Sequence, residues 1–466
     1  MNSASGRSAS GGPVPGDRAT GDRPRSLTGA AVLPGGDVVE LTRELVRVPS
    51  PNPGGDESRV AAAVTEMARA AGLPEPRVLR RGGPCSGPSR PNLLFTLDFG
   101  PGGRHLVLCG HMDTKPVGDA GWTVDPFGAD LDGDRLYGLG SADMKGALAA
   151  MLLAASRLAR EGSLAAGRLS LLFTADEEDG AYHGARYLAE SPPEALFGPA
   201  SGTAAPAGAG VDAVLIGEPG GLEDDYDLLH LGSRGIARMR VTAFGRQGHS
   251  SLSGEPGTRN AGVDAARAAV ALAEELRLPS PIGPPGIRGW ETTVNTGLAF
   301  RGGVGYGVLP DRVAVDTEVR LLPGVTREDV RRPVTALLEE VAARTGARLE
   351  LEFDDQGLLP GTVADPSGPL PAAVRAAARE VLGRVPPDAM FPGTTDAAFL
   401  QPAWNVPVLP AFGPGLLRRA HGADEWVSVT ALRRAVDLYA GVAAAFCRGG
   451  DEHRPGEDEH AKEEGR

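Results

Sequence analysis

Cysteine is scarce in this chain: Cys85, Cys109 and Cys447 are the three among 466 residues. An odd, sparse set builds no disulfide framework, which points to a reducing, cytoplasmic compartment. Cys109 closes an apolar run and reads as a small core residue. Long apolar stretches are missing too. The longest, around Ala147 to Ala155, is too short to span a bilayer. The opening MNSASGRSASGGPVPGDRATGDRPRS holds no apolar core of the kind found in secretory signals. Positive charge is not in excess either. The formal net charge of −13 argues against non-specific binding to nucleic acid or to anionic membranes.

What is present is enough chain for two or more domains. Residues 1–37 are rich in Gly, Ser, Pro and Arg and read as a disordered extension. Residues 449–466 read as a charged tail, which removes His453 and His460 from contention. Between them, DVVELTRELV from Asp37 has helical spacing that stops before Pro49. Strands are expected at Asn92–Leu97, His105–Cys109, Leu169–Phe173 and Ala213–Ile216. A helix is expected from Asp143, with Asp143 as its N-cap. The Pro-, Gly- and Ala-rich stretch Pro192 to Gly210 reads as a surface insertion.

After Leu231 the pattern changes. GIARMRVTAF, TTVNTGLAF, RVAVDTEVR and ARLELEF alternate like half-buried strands. A helix with Val263, Ala266, Val270, Ala273 and Leu276 on one face falls after the first. A second, with Val330, Val334, Leu337, Leu338 and Val341, is capped by Thr326 and carries Pro333 early. The order β-α-β-β-α-β is the ferredoxin-like unit. Helical and strand signals resume with Ala372–Leu382, VPVLP and Val427–Phe446. The expected fold is a two-domain α/β protein. A mixed-sheet catalytic domain (38–230 and 351–448) is interrupted by a ferredoxin-like α+β dimerisation or lid domain (231–350).

Chemistry gathers at the ends of the apolar runs. HLVLC precedes His111-Met-Asp113, LSLLF precedes Glu177-Glu178, and AVLIG precedes Glu218. Groups at the carboxyl ends of parallel strands converge on one crevice. In an extended segment His111 and Asp113 point to the same side, so the carboxylate can orient the imidazole. Glu177 and Glu178 are either an exposed acidic loop or a division of labour, one binding metal and one carrying protons. Asp143 could be an ordinary cap, Glu218 a turn residue and His421 a surface histidine. Taken together, His111, Asp143, Glu178, Glu218 and His421 exceed the ligand count of one catalytic zinc and suit two metals sharing a carboxylate. Mixed imidazole and carboxylate ligation favours zinc, cobalt or manganese. His105, His183 and His230 read as bland, with His183 on the surface.

The runs GHMDT, GLGSADMKGALAA, TADEED, IGEP, RQGHSS, GTTDA and HGADEW, in that order, resemble the M20 family of metallohydrolases. The likeness covers about residues 38 to 448. It implies hydrolysis of linear amides by two zinc ions in a homodimer, on a small substrate and away from nucleic acid or membrane. The expected reaction is hydrolysis of N-acyl amino acids, as by a deacetylase or desuccinylase; a dipeptidase or carboxypeptidase of the family and a non-catalytic dimeric metal-binding relative are the alternatives. By the resemblance, Asp143 bridges the metals, His111 and Glu218 complete one site, and Glu178 and His421 the other. Glu177 acts as general base and acid, Asp113 supports His111, and His249 polarises the substrate carbonyl across the dimer. Arg320 holds a substrate carboxylate, and Gly393, Thr394, Thr395 and Asp396 line the pocket. One departure is Gly307, where many members carry Asn.

Overall fold

The computed structural model describes residues 36–82, 89–119, 121–198 and 210–448. The expected N-terminal extension, the charged tail, Cys85 and residues 199–209 of the expected insertion lie outside these. No helix among the described residues is long and apolar enough to cross a membrane.

The chain enters through helices α1 (Val38–Val46) and α2 (Ser58–Ala70). Asp37 caps α1 by accepting from the Val39 N–H, satisfying one of its free donors. Strands β1 (Arg77–Leu79), β2 (Asn92–Asp98) and β3 (His105–His111) follow, then helix α3 (Gly146–Glu161). Strand β4 (Arg168–Thr174) and strand β5 (Ala213–Ile216) come next. With the late strand Val408–Leu409 they form a six-stranded sheet in the order β1-β2-β4-β3-β5-(408–409). Strands β4, β3, β5 and 408–409 run parallel, and β1 and β2 run antiparallel on one flank.

Both faces of this sheet are covered. Leu106 and Leu108 of β3 join the core under α1, α2 and α3. Val107 and Cys109 join a core on the other face with Phe197 and Trp404. A strand buried on both sides must be apolar throughout, which is why HLVLC lacks alternation. Each fully buried Leu or Phe contributes roughly 1.5–3 kcal/mol. Phe197 ends the short helix Pro193–Phe197, so the start of the expected surface insertion is core instead. Its ring packs edge-on against both Trp404 and His105.

The second sheet uses β6 (Gly235–Phe244), β7 (Thr293–Gly302), β8 (Arg312–Leu321) and β9 (Arg348–Leu359). Its order is β7-β8-β6-β9, antiparallel throughout, as in a ferredoxin-like unit. Helices α4 (Ala261–Glu274) and α5 (Arg327–Thr345) cover one face. Thr326 caps α5 in a reciprocal box with Asp329, and the helix continues past Pro333 with one donor fewer.

Helix α4 is turned over relative to expectation. Val263 and Val270 are 44% and 54% exposed, whereas Ala261, Ala265, Ala268 and Leu272 are buried. Small side chains let the helix lie close on the sheet around Leu272, and the two valines point outward. The C-terminal part adds α6 (Pro369–Leu382) and α7 (Val429–Arg448), which packs against α3 and α6. Trp426–Ser428 is a short strand, so α7 starts two residues later than its spacing suggests.

Candidate metal centre

His111 is the last residue of β3 and lies beside Thr174, the last residue of β4. Past Thr174 the chain turns through Asp176 in a left-handed conformation (φ 65°) into the single turn Glu177–Asp179. Glu218 lies two residues past β5. Three of the expected groups therefore sit at neighbouring strand ends.

Asp143 reaches the same place by another route. It is not the cap of α3, which starts three residues later at Gly146. It lies in an irregular turn, Ser141–Lys145, with extended backbone at φ −122° and ψ 90°. The Glu425 carboxylate accepts from the Ala142 and Asp143 N–H groups at 2.9 and 3.1 Å and holds that turn. Gly110 makes room for it: a Cβ there would lie 2.4 Å from Met144 Cε. His421 closes the group from a left-handed position (φ 62°).

The distances define a chain of contacts centred on Asp143. Its Oδ1 is 3.0 Å from His111 Nε2, and its Oδ2 is 3.1 Å from His421 Nε2. Glu218 Oε1 is 3.6 Å from His111 Nε2. Glu178 Oε1 is 3.2 Å from His421 Nε2 but out of line for a hydrogen bond. Ligand atoms of His111, Glu177 and Glu218 fall within 4.8 Å of one another, as do those of His111, Asp143 and Glu178. Glu177, expected as the proton carrier, is thus close enough to ligate. His421 joins neither of these tight sets, although it touches Asp143 and Glu178.

Electrostatics show what the cluster needs. Burial works against protonation of His111, yet Asp113 and Asp143 outweigh it and hold its pKa well above the usual value. His421 is likewise pushed up to about 10: burial opposes the shift, and Asp143 and Glu178 overcome it. Burial, then the Asp143 charge, raises Glu218 well above the carboxylate range. Burial raises Glu177 in the same sense, with Asp396 and Glu178 adding to it. The acids outnumber the imidazoles, and protons are held where cations would satisfy the charge. This donor set fits hard or borderline divalent ions, and the poorly aligned Glu178 Oε1 fits an ion better than a proton.

A second layer holds the acids. Asp113 Oδ1 and Oδ2 accept the Glu177 and Glu178 N–H groups at 3.2 and 3.1 Å. His111 Nδ1 lies 2.9 Å from the Asp113 backbone carbonyl and 3.5 Å from its carboxylate. The shorter contact is to backbone, and the carboxylate both stabilises the His111 imidazolium and anchors the acidic turn. Asn52 Nδ2 donates to both Asp113 and Asp176, at 2.8 and 2.9 Å. Arg90 Nη1 meets Glu57 at 2.7 Å and Asp176 at 3.0 Å, and its Nη2 donates to Asn52. Asn52, Arg90, Glu425 and Lys115 were not anticipated. Lys115 alone left a signal, since it lies two residues after Asp113 on the same side of an extended segment.

His249, Gly307 and Arg320 make their contacts outside the cluster. His249 is exposed on a two-residue strand paired with Val308, and its Nδ1 accepts the Ser251 N–H at 3.3 Å. Gly307 is next to that strand; its carbonyl accepts the Ser250 N–H, and its φ of 83° suits glycine. Arg320 Nη2 pairs with Glu318 at 2.7 Å, and its Nη1 is 3.5 Å from Thr394 Oγ1. Thr394 in turn donates to the Arg234 carbonyl. Gly393 and Thr394 are half-buried, but Thr395 and Asp396 are buried. Thr395 Oγ1 accepts the Ala397 N–H, and Asp396 Oδ2 accepts from Thr174 Oγ1 at 2.9 Å. Thr395 thus turns inward, whereas Asp396 stands behind the cluster, close enough for its charge to act on Glu177. His105 and His230 are buried and bonded to Gly210 and Gly220 carbonyls, and burial lowers each to about 4. His183 is half-buried beside Tyr182.

The family model for peptidase family M20/M25/M40 matches residues 107–445, which contain the whole acid and histidine cluster. The chain belongs to this peptidase family. The M20 resemblance stands, and with it the class of metal-dependent amidohydrolase. A succinyl-diaminopimelate desuccinylase of Rhodospirillum centenum is 31% identical over 89% of this chain and 98% of its own length. Another, from Stenotrophomonas maltophilia, is 32% identical over 86% and 97%. Among solved structures, the M20 metallo-carboxypeptidase Sso-CP2 of Sulfolobus solfataricus superposes with a TM-score of 0.68 at 19% identity, covering 88% of this chain and 99% of that one. The dipeptidase Dug1p of Saccharomyces cerevisiae gives 0.66 at 17% identity, covering 88% and 95%. These two share the M20 fold with the chain.

Proposed function

We propose that this chain hydrolyses the amide bond of N-acyl amino acids, in the manner of a deacetylase or desuccinylase, with two divalent ions bound around Asp143. The observation that carries this is the straddling carboxylate, one oxygen 3.0 Å from His111 and the other 3.1 Å from His421. His111 and Glu218 would hold one ion and Glu178 and His421 the other, with zinc favoured and cobalt or manganese able to replace it. Such ions supply Lewis acidity and a water of lowered pKa.

The chain's own residues do the rest. Glu177 is half-buried beside the cluster, and its raised pKa suits a group that takes a proton from water and returns it to a leaving amine. Asp113 keeps Glu177 and Glu178 in place through their N–H groups. Arg320 would receive the substrate carboxylate, exchanging Glu318 for it, beside the Gly393–Asp396 loop. His249 would act on the substrate carbonyl of a second copy. The dimer this requires is supported by the outward apolar face of α4, with Val263 and Val270, and by exposed Leu298 and Phe300 on β7. The division into two domains belongs to the same reading, with its second boundary after Leu359, where β9 leaves the second sheet, rather than at residue 350, as does a cytoplasmic setting.

The relatives named as desuccinylases support N-acyl amino acids over peptides. A panel of N-acetyl and N-succinyl amino acids and dipeptides tests this on chelator-treated, metal-reloaded protein. Turnover should vanish on chelation, return with zinc or cobalt, and favour the N-acyl amino acids. Cleavage of dipeptides alone would transfer the chain to the dipeptidase or carboxypeptidase branch. Turnover that survives proven metal removal would refute the metal-dependent reading.

A further inference from the structure

The two halves of the cluster are not alike. Side chains of the His111–Glu218 half are closed off, at 1% and 7% exposure. His421 in the other half is 47% exposed. The open half also contains a cation of its own. Lys115 Nζ lies 3.0 Å from Glu178 Oε2 and also donates to the Glu178 backbone carbonyl. Its side chain is 35% exposed, so it stands at the solvent side of the acid. Among the described residues, neither Glu218 nor Glu177 forms an ion pair with lysine or arginine.

We infer that Lys115 is a resident cation of the open half-site, which holds Glu178 to a single free oxygen and keeps the second divalent ion more weakly bound than the first. The geometry separates the two oxygens of Glu178. Oε2 is committed to the ammonium, and Oε1 faces His421 without an aligned hydrogen bond. An ion in this half is therefore bound through one carboxylate oxygen rather than two. An ion there would also meet the Lys115 ammonium, which lies 3.0 Å from the other oxygen of Glu178, and that repulsion would be only partly screened by solvent. The deep half offers His111 and Glu218, which form no ion pair with Lys115; Asp143 is common to both halves. The ions then load in order, deep half first, and the open half exchanges its ion readily.

This inference rests on the two-ion reading of the site. Calorimetric titration of zinc into the chelator-stripped, full-length chain tests both and tells them apart. Wild type should take up two ions per chain, with affinities separated by about tenfold or more. K115M should tighten the weaker ion by about tenfold and leave the tighter one within about twofold. K115R should keep the wild-type gap, and K115Q replaces K115M should the latter misfold. Two ions in wild type with the gap unchanged in K115M or K115Q would overturn the role of Lys115 alone. One ion or none in wild type would overturn the two-ion reading, and this inference with it.

Discussion

Asp316 and Asp143 are both carboxylates set against a sheet, and they meet opposite surroundings. Asp316 stands on the open face of the four-stranded sheet. Arg240, directly across on β6, binds it at 2.6 Å, and Arg301 binds it at 3.1 Å. Those arginines and the exposure to water settle its charge, so it is held below the ordinary carboxylate range mainly by the Arg240 hydrogen bond. Asp143 is buried at the end of the six-stranded sheet between two imidazoles, with further acids around it. No cross-strand partner can reach it there. The same residue type is an ordinary surface pair in one region and part of a charge deficit in the other. Acids in register with arginines ask for nothing more, whereas acids gathered at strand ends ask for cations.

The first way to test this contrast is to alter the acid that has protons to move. Glu177→Gln should lower kcat by about 10²- to 10⁴-fold while two ions remain bound, as read by turnover and metal content. Wild-type turnover in that variant would remove Glu177 from the chemistry. The second is to disturb the buried support. Arg90 is nearly buried between Glu57 and Asp176. Arg90→Met leaves those charges unpaired and should destabilise the fold by about 3–5 kcal/mol, visible in denaturant unfolding. An unchanged midpoint would mean the network is redundant. The smallest effect belongs to the surface. Asp316→Asn should change stability by no more than about 1 kcal/mol, because exposed pairs gain little over water. A larger loss would erase the distinction between the two sheets.

Much of this is legible in the sequence. Apolar runs covered on both faces lack alternation, so HLVLC, LSLLF and AVLI stand out and mark the strand ends that carry His111, Glu177 and Glu218. The alternating strands after Leu231 were equally plain, since one face of their sheet meets solvent. Helix α4 was misjudged because periodicity finds an apolar face without saying whether it turns in or out. Ala261, Ala265 and Ala268 pack the core, and its two valines face away. The support behind the acids was hidden for a different reason. Asn52 and Arg90 come from segments remote in sequence from Asp113 and Asp176, and nothing local marks them. Asp143 stands out in the sequence, but its local structure does not, because its turn depends on Glu425, 282 residues away.

The central claim is that Asp143 lies between two ions. Anomalous scattering from crystals of the zinc- or cobalt-loaded chain tests it most directly. The account predicts two peaks about 3.5–4 Å apart, one against His111 and Glu218, the other against Glu178 and His421, with Asp143 touching both. A single peak, or peaks that leave Asp143 without a metal contact, would contradict it.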